Sequence, residues 1–123
     1  MMMNRRSFLA ATMALSVMLP GLALADETDT AIQAGGPVLV HVTAPWCETC
    51  QAQKPIVAEL LDKPDFKTLR KVDVDFDSQK DVLAKLRVTT QSTMIVFKDG
   101  KEIDRQMGQT DPAEIEALFR KAL

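Results

Sequence analysis

The chain has 123 residues, 46% hydrophobic and 26% charged, the balance of one small globular domain rather than a disordered segment. Its net charge is −2 and its pI about 5.3, so no basic field is present to hold DNA or RNA, and nucleic-acid partners are excluded.

The first 25 residues stand apart. Met1 to Asn4 lead into Arg5-Arg6, an apolar run from Phe8 to Leu19, a break at Pro20-Gly21, and Ala23-Leu24-Ala25. A charged start, an apolar stretch of about a dozen residues and a small-x-small site form a cleavable export signal. The alternative is an uncleaved anchor, but the stretch is shorter than the roughly 20 apolar residues a spanning helix needs. Asn4-Arg5-Arg6-Ser7-Phe8-Leu9 also resembles the twin-arginine export motif. No Cys follows Ala25, which argues against a lipid anchor. Cleavage leaves residues 26–123, with 13 basic and 17 acidic side chains and a net charge of −4. The expected product is soluble and periplasmic, in a compartment that permits disulfides.

Asp26 to Ala34 is a polar lead-in with room for a helical turn, ended by Gly35-Gly36-Pro37. Val38 to Thr43 is β-branched and nearly apolar throughout, which predicts a strand buried on both faces. Ala44-Pro45-Trp46-Cys47-Glu48-Thr49-Cys50 then opens a helix to Leu61, where Pro55 should impose a kink or a restart. Leu69 to Phe76 alternates like a strand. Ser78 is a candidate cap for a helix through Val82, Leu83 and Leu86. Thr93 to Lys98 is a further apolar strand, and Asp99-Gly100 predicts a hairpin into Lys101 to Met107. Gly108 ends that strand. Asp111-Pro112-Ala113-Glu114 places a cap and a first-turn proline before Ile115, Leu118 and Phe119. The order β-α-β-α-β-β-α implies a small mixed sheet covered on both faces.

Cys47 and Cys50 are the only cysteines, and they stand where a buried strand meets a helix. A helix start offers unpaired N–H groups and partial positive charge, both of which favour thiolate over thiol. The three-residue spacing puts both sulfurs on one side of the first turn, so the second can displace a product bonded to the first. Two other readings stay open. A structural disulfide would close a loop already constrained by the helix and add little stability. A copper or zinc carrier would use the two thiolates, with His41 as a further ligand.

Trp46-Cys47-Glu48-Thr49-Cys50 resembles the active-site segment of the thioredoxin family, and the likeness runs from about Pro37 to Leu123. Ala44-Pro45-Trp46-Cys47 is similar to the family's approach to its helix, Pro55 to its helix proline, and Lys71-Val72-Asp73-Val74-Asp75 to its central strand. Phe97-Lys98-Asp99-Gly100 is similar to the family's hairpin, and Gly108 to its site glycine. The resemblance implies an α/β thioredoxin-like fold, trimmed to a central mixed four-stranded sheet with helices on both faces. It implies thiol–disulfide exchange with protein clients, Cys47 as nucleophile and Cys50 as resolving thiol, with the redox-active pair in place of any cofactor. A membrane or periplasmic electron donor would follow, and a monomer is the expected state.

Three departures bear on mechanism. Ser92, within Gln91-Ser92-Thr93, occupies the place of the family's cis-proline. A cis bond before a non-proline residue costs about 3 kcal/mol, so a trans bond and a reshaped groove of Trp46, Gln91, Ser92 and Thr93 are expected. The hydroxyl would be able to reach Cys47 or a metal. His41 stands where the family carries a buried Asp that relays the resolving thiol's proton. Burial should lower its pKa, with Lys71 pushing the same way, and a neutral ring would take the Cys50 proton. Glu48-Thr49 fills the dipeptide that tunes redox potential. An acid beside Cys47 opposes its thiolate and favours a reductant or isomerase over an oxidant. The acidic run Asp73, Asp75, Asp77 and Asp81 lacks calcium-loop spacing and is expected to be a solvated face.

Overall fold

The computed structural model describes residues 26–123, and the expected export signal lies outside the described residues. Strand β1 (Val38–Thr43) is the β-branched run, buried along nearly all its length. It pairs in parallel with β2 (Arg70–Asp75), placing Val40 beside Val72 and Val42 beside Val74. Its other edge pairs antiparallel with β3 (Thr93–Lys98), which pairs antiparallel with β4 (Lys101–Met107). The spatial order is β2-β1-β3-β4, the mixed four-stranded sheet that the element order implied. Asp99 and Gly100 turn β3 into β4 with φ of 53° and 79°, the two left-handed positions that such a tight hairpin needs.

The strand period of two separates two cores. On one face, Val38, Val40, Val42, Val72, Val74 and Ile95 pack with helices α1 (Glu27–Gln33) and α3 (Lys80–Leu86). On the other, Leu39, Met94 and Val96 meet α2 (Glu48–Leu61) and α4 (Pro112–Arg120). Phe66 and Phe119 close that second core edge to face, with ring centres 5.7 Å apart.

Caps follow local chemistry with one exception. Asp111 accepts from Ala113 N and starts α4 with Pro112 at its first position, as expected. Asp26 likewise accepts from Asp29 N, so the polar lead-in is a capped helix rather than a bare turn. Ser78 does not cap α3: Gln79 holds the cap position, and the Ser78 hydroxyl donates instead to Asp75 at 2.6 Å. That hydroxyl and the Asp77 N–H hold the Asp75 carboxyl below its ordinary range. Helix α2 does not restart at Pro55, which lies on its exposed side. Phe119→Ala should cost about 3–5 kcal/mol by emptying the second core. Urea unfolding should show a lower midpoint with an unchanged slope.

Candidate active site

The end of β1 and the start of α2 bring the cysteines together. Cys47 is the cap residue of α2, and its Sγ accepts from Cys50 N at 3.1 Å. The two sulfurs form a disulfide. Both residues are buried, Cys47 at 3% exposure and Cys50 at 0%, so Cys47 is the more accessible of the two. Glu48 lies exposed in the first helical turn, where solvent screens its charge, and Thr49 is half-buried.

Ser92 meets both sulfurs. Its Oγ lies 3.1 Å from Cys47 Sγ and 3.2 Å from Cys50 Sγ, so the hydroxyl reaches Cys47 as expected. All peptide bonds among the described residues are trans, and Ser92 takes a left-handed backbone with φ of 64°. Three contacts fix it there: its N–H donates to Val42 O, and its carbonyl accepts from Gly108 N and from Gln53 Nε2. Gln91 beside it is half-buried, while Thr93 is buried with its hydroxyl donating to Thr90 O.

His41 is buried on the face of β1 that carries α2. Its Nε2 meets Gln53 Oε1 at 2.9 Å rather than either sulfur. The Gln53 amide nitrogen already donates to two carbonyls, those of Ser92 and Gln109, at 3.1 and 3.0 Å. Its oxygen must therefore face the ring, so His41 Nε2 carries the proton and Nδ1 is the basic atom of the neutral imidazole. Burial holds the ring below its ordinary pKa; Lys71 adds a smaller push in the same direction, against Gln53 and Asp73. Lys71 itself pairs with Asp73 at 3.3 Å on β2. Both line a groove with His41, Thr43 and Lys54.

Trp46 is 58% exposed beside Cys47. Its indole N–H donates to both Asp77 oxygens, at 3.0 and 2.9 Å, and its ring stands edge-on to Phe76. One of the four acids expected on a solvated face thus holds a residue beside the active pair. Among the described residues no three His, Cys, Asp or Glu side chains gather as a metal-holding group.

The thioredoxin family model matches residues 22–121. The chain belongs to the thioredoxin family. It is 37% identical over 86 residues to a thioredoxin of Mycolicibacterium smegmatis, covering 69% of this chain and 74% of that one. It is 33% identical over 88 residues to thioredoxin Asp f 29 of Aspergillus fumigatus, covering 72% and 79%. The crystal structure of Trxlp from Edwardsiella tarda superposes with a TM-score of 0.72 at 37% identity, covering 75% of this chain and 89% of that one. Together with the paired cysteines, these relatives make the protein a thiol–disulfide oxidoreductase of the thioredoxin class, whose members act on protein disulfides.

Gln53 belongs to no motif in the sequence. The signal was present: Cys50, Gln53, Val57 and Leu60 recur at three- and four-residue steps, which puts an amide on the buried side of the helix. The His41 environment has a pH signature. Its folded pKa lies below the unfolded value near 6.5, so the unfolded chain binds the extra proton first. Stability is whole above that pH and falls as pH drops through it, by at most about 1.4 kcal/mol per pH unit. Urea titrations at pH 7 and 5.5 should show this loss in the native protein and a smaller one in His41→Gln. Equal losses would mean that the ring is not desolvated in the fold.

Proposed function

We propose that residues 1–25 export the chain to the periplasm, where residues 26–123 exchange disulfides with protein clients as a reductant or isomerase. The observation that carries the reading is the cysteine pair at the start of α2, with Cys47 Sγ receiving the Cys50 N–H. That donor and the helix end favour the Cys47 thiolate. The thiolate attacks a client disulfide, forming a Cys47–client bond and expelling the other client sulfur as a thiolate. Cys50 then attacks Cys47 Sγ, and the electron pair of the Cys47–client bond leaves on the client. The client gains two electrons, and the protons shed by the cysteines end on its thiols. The Cys47–Cys50 disulfide must be reduced again by a periplasmic or membrane donor.

Glu48 leans weakly to the reductant or isomerase side: a carboxylate beside Cys47 opposes its thiolate, and solvent screens most of that effect. The reduction potential should fall between about −270 mV, that of thioredoxin, and about −180 mV, that of disulfide isomerase. A value near −120 mV would place the protein among disulfide donors instead. Cys47→Ser should abolish reduction of insulin disulfides, and Cys50→Ser should accumulate mixed disulfides visible on non-reducing gels. Retained insulin reduction by Cys47→Ser would sink the mechanism. Fused to a reporter active only after export, residues 1–25 should deliver it to the periplasm. Arg5→Lys with Arg6→Lys should block delivery if the route is twin-arginine, and leave it intact if the route is general secretion.

A further inference from the structure

The Ser92 hydroxyl is placed for more than filling the groove. Its Oγ lies within hydrogen-bond distance of both sulfurs and is shielded from water, with Ser92 only 3% exposed. A disulfide is a poor acceptor, so in the oxidised protein these contacts contribute little. Reduction changes that: a Cys47 thiolate is an anion in a buried site, and a charge-assisted hydrogen bond there is about twice as strong as a neutral one. The hydroxyl has one proton to give and two lone pairs to receive. Cys50, still a thiol, can donate its S–H to Ser92 Oγ, which leaves the Ser92 proton for Cys47. The result is a chain of donors from Cys50 through Ser92 to Cys47, joined at Cys47 by the Cys50 N–H.

The hydroxyl is also held in position. Ser92 adopts φ of 64°, a left-handed conformation that is strained for a non-glycine residue and persists only where its surroundings impose it. Val42 O and Gly108 N bind its backbone from two strand ends, and Gln53 Nε2 binds its carbonyl from α2. Gln53 in turn spans to Gln109 O and is oriented by His41.

We propose that the Ser92 hydroxyl, positioned by Gln53, donates to the Cys47 thiolate and moves the pair from the reductant end of its range toward the isomerase end. The proposal rests on the exchange reaction described above and specifies which residue sets its direction. Glu48 and Ser92 act in opposite senses. The carboxylate is exposed and screened, whereas the hydroxyl is buried against the sulfur, so the hydroxyl prevails.

The test uses Ser92→Gly, because glycine takes φ near +64° without strain and the change removes little but the hydroxyl. Thiolate absorbance of the reduced protein gives the Cys47 titration, and equilibration with glutathione buffers gives the oxidised fraction. Relative to native protein, Ser92→Gly should raise the Cys47 titration midpoint by about one pH unit, a tenfold loss of thiolate. The reduced-to-oxidised ratio should fall about tenfold in the same buffer, equivalent to a potential about 30 mV more negative. Gln53→Met, which keeps the hydroxyl and releases its backbone, should move both readouts the same way by less. Unchanged titration and equilibrium in Ser92→Gly would overturn the proposal, while insulin reduction by the native protein would leave the oxidoreductase standing. Unchanged values in Gln53→Met alone would remove Gln53 from it. Failure of the native protein to exchange with glutathione would overturn the proposed function itself.

Discussion

Gln53 is the side chain whose hydrogen bonds join β1, the turn before β3 and the segment after β4. Its oxygen meets His41 on β1, and its nitrogen meets the carbonyls of Ser92 and Gln109. A buried amide left unpaired costs about 1–3 kcal/mol, so all three partners are constrained together. The consequence is positional. α2 carries the cysteines, and the same helix, one turn on, grips the segment that faces them. The distance between sulfur and Ser92 hydroxyl is therefore set within one rigid unit rather than across a loose loop.

The electrostatics of the pair follow from where each group sits. The helix start and the Cys50 N–H act on Cys47 at short range and out of water, as does the hydroxyl. Glu48 is its sequence neighbour but projects into solvent, where the Debye length and the high dielectric weaken it. His41 is the reverse case: it is buried at 1% exposure, that burial lowers its pKa, and its Nε2 proton is committed to Gln53. Adjacency in sequence is a poor guide to influence on a sulfur; burial and donor geometry decide it.

Much of the architecture was legible before the structure. The β-branched run became the central strand, Asp99-Gly100 the hairpin, Asp111-Pro112 the start of the last helix, and Cys47-x-x-Cys50 the helix entry, because each depends on local backbone preferences. Ser78 failed as a cap because Asp75 offered its hydroxyl a charged acceptor that no propensity scale contains. Pro55 did not restart its helix, a tertiary outcome that a single residue does not announce. The partner of His41 is hidden for the same reason: residues 41, 53, 92 and 109 are distant in sequence and meet only in the folded protein. Ser92 stands out through its place in the family pattern, but its near-equal reach to both sulfurs is a fact of three dimensions.

The indole of Trp46 has a further consequence. A large aromatic ring exposed beside a reactive cysteine would ordinarily sample several rotamers, and a partner settling against it would have to freeze them. Here Asp77 captures the ring nitrogen through both carboxylate oxygens, and Phe76 supports the ring from its edge. The ordering entropy of that side chain, of order 0.5–1.5 kcal/mol for a mobile contact residue, is spent in the folded protein before any encounter. A partner sulfur approaching Cys47 thus meets a wall that is already set, which favours fast and reversible docking over slow mutual adjustment.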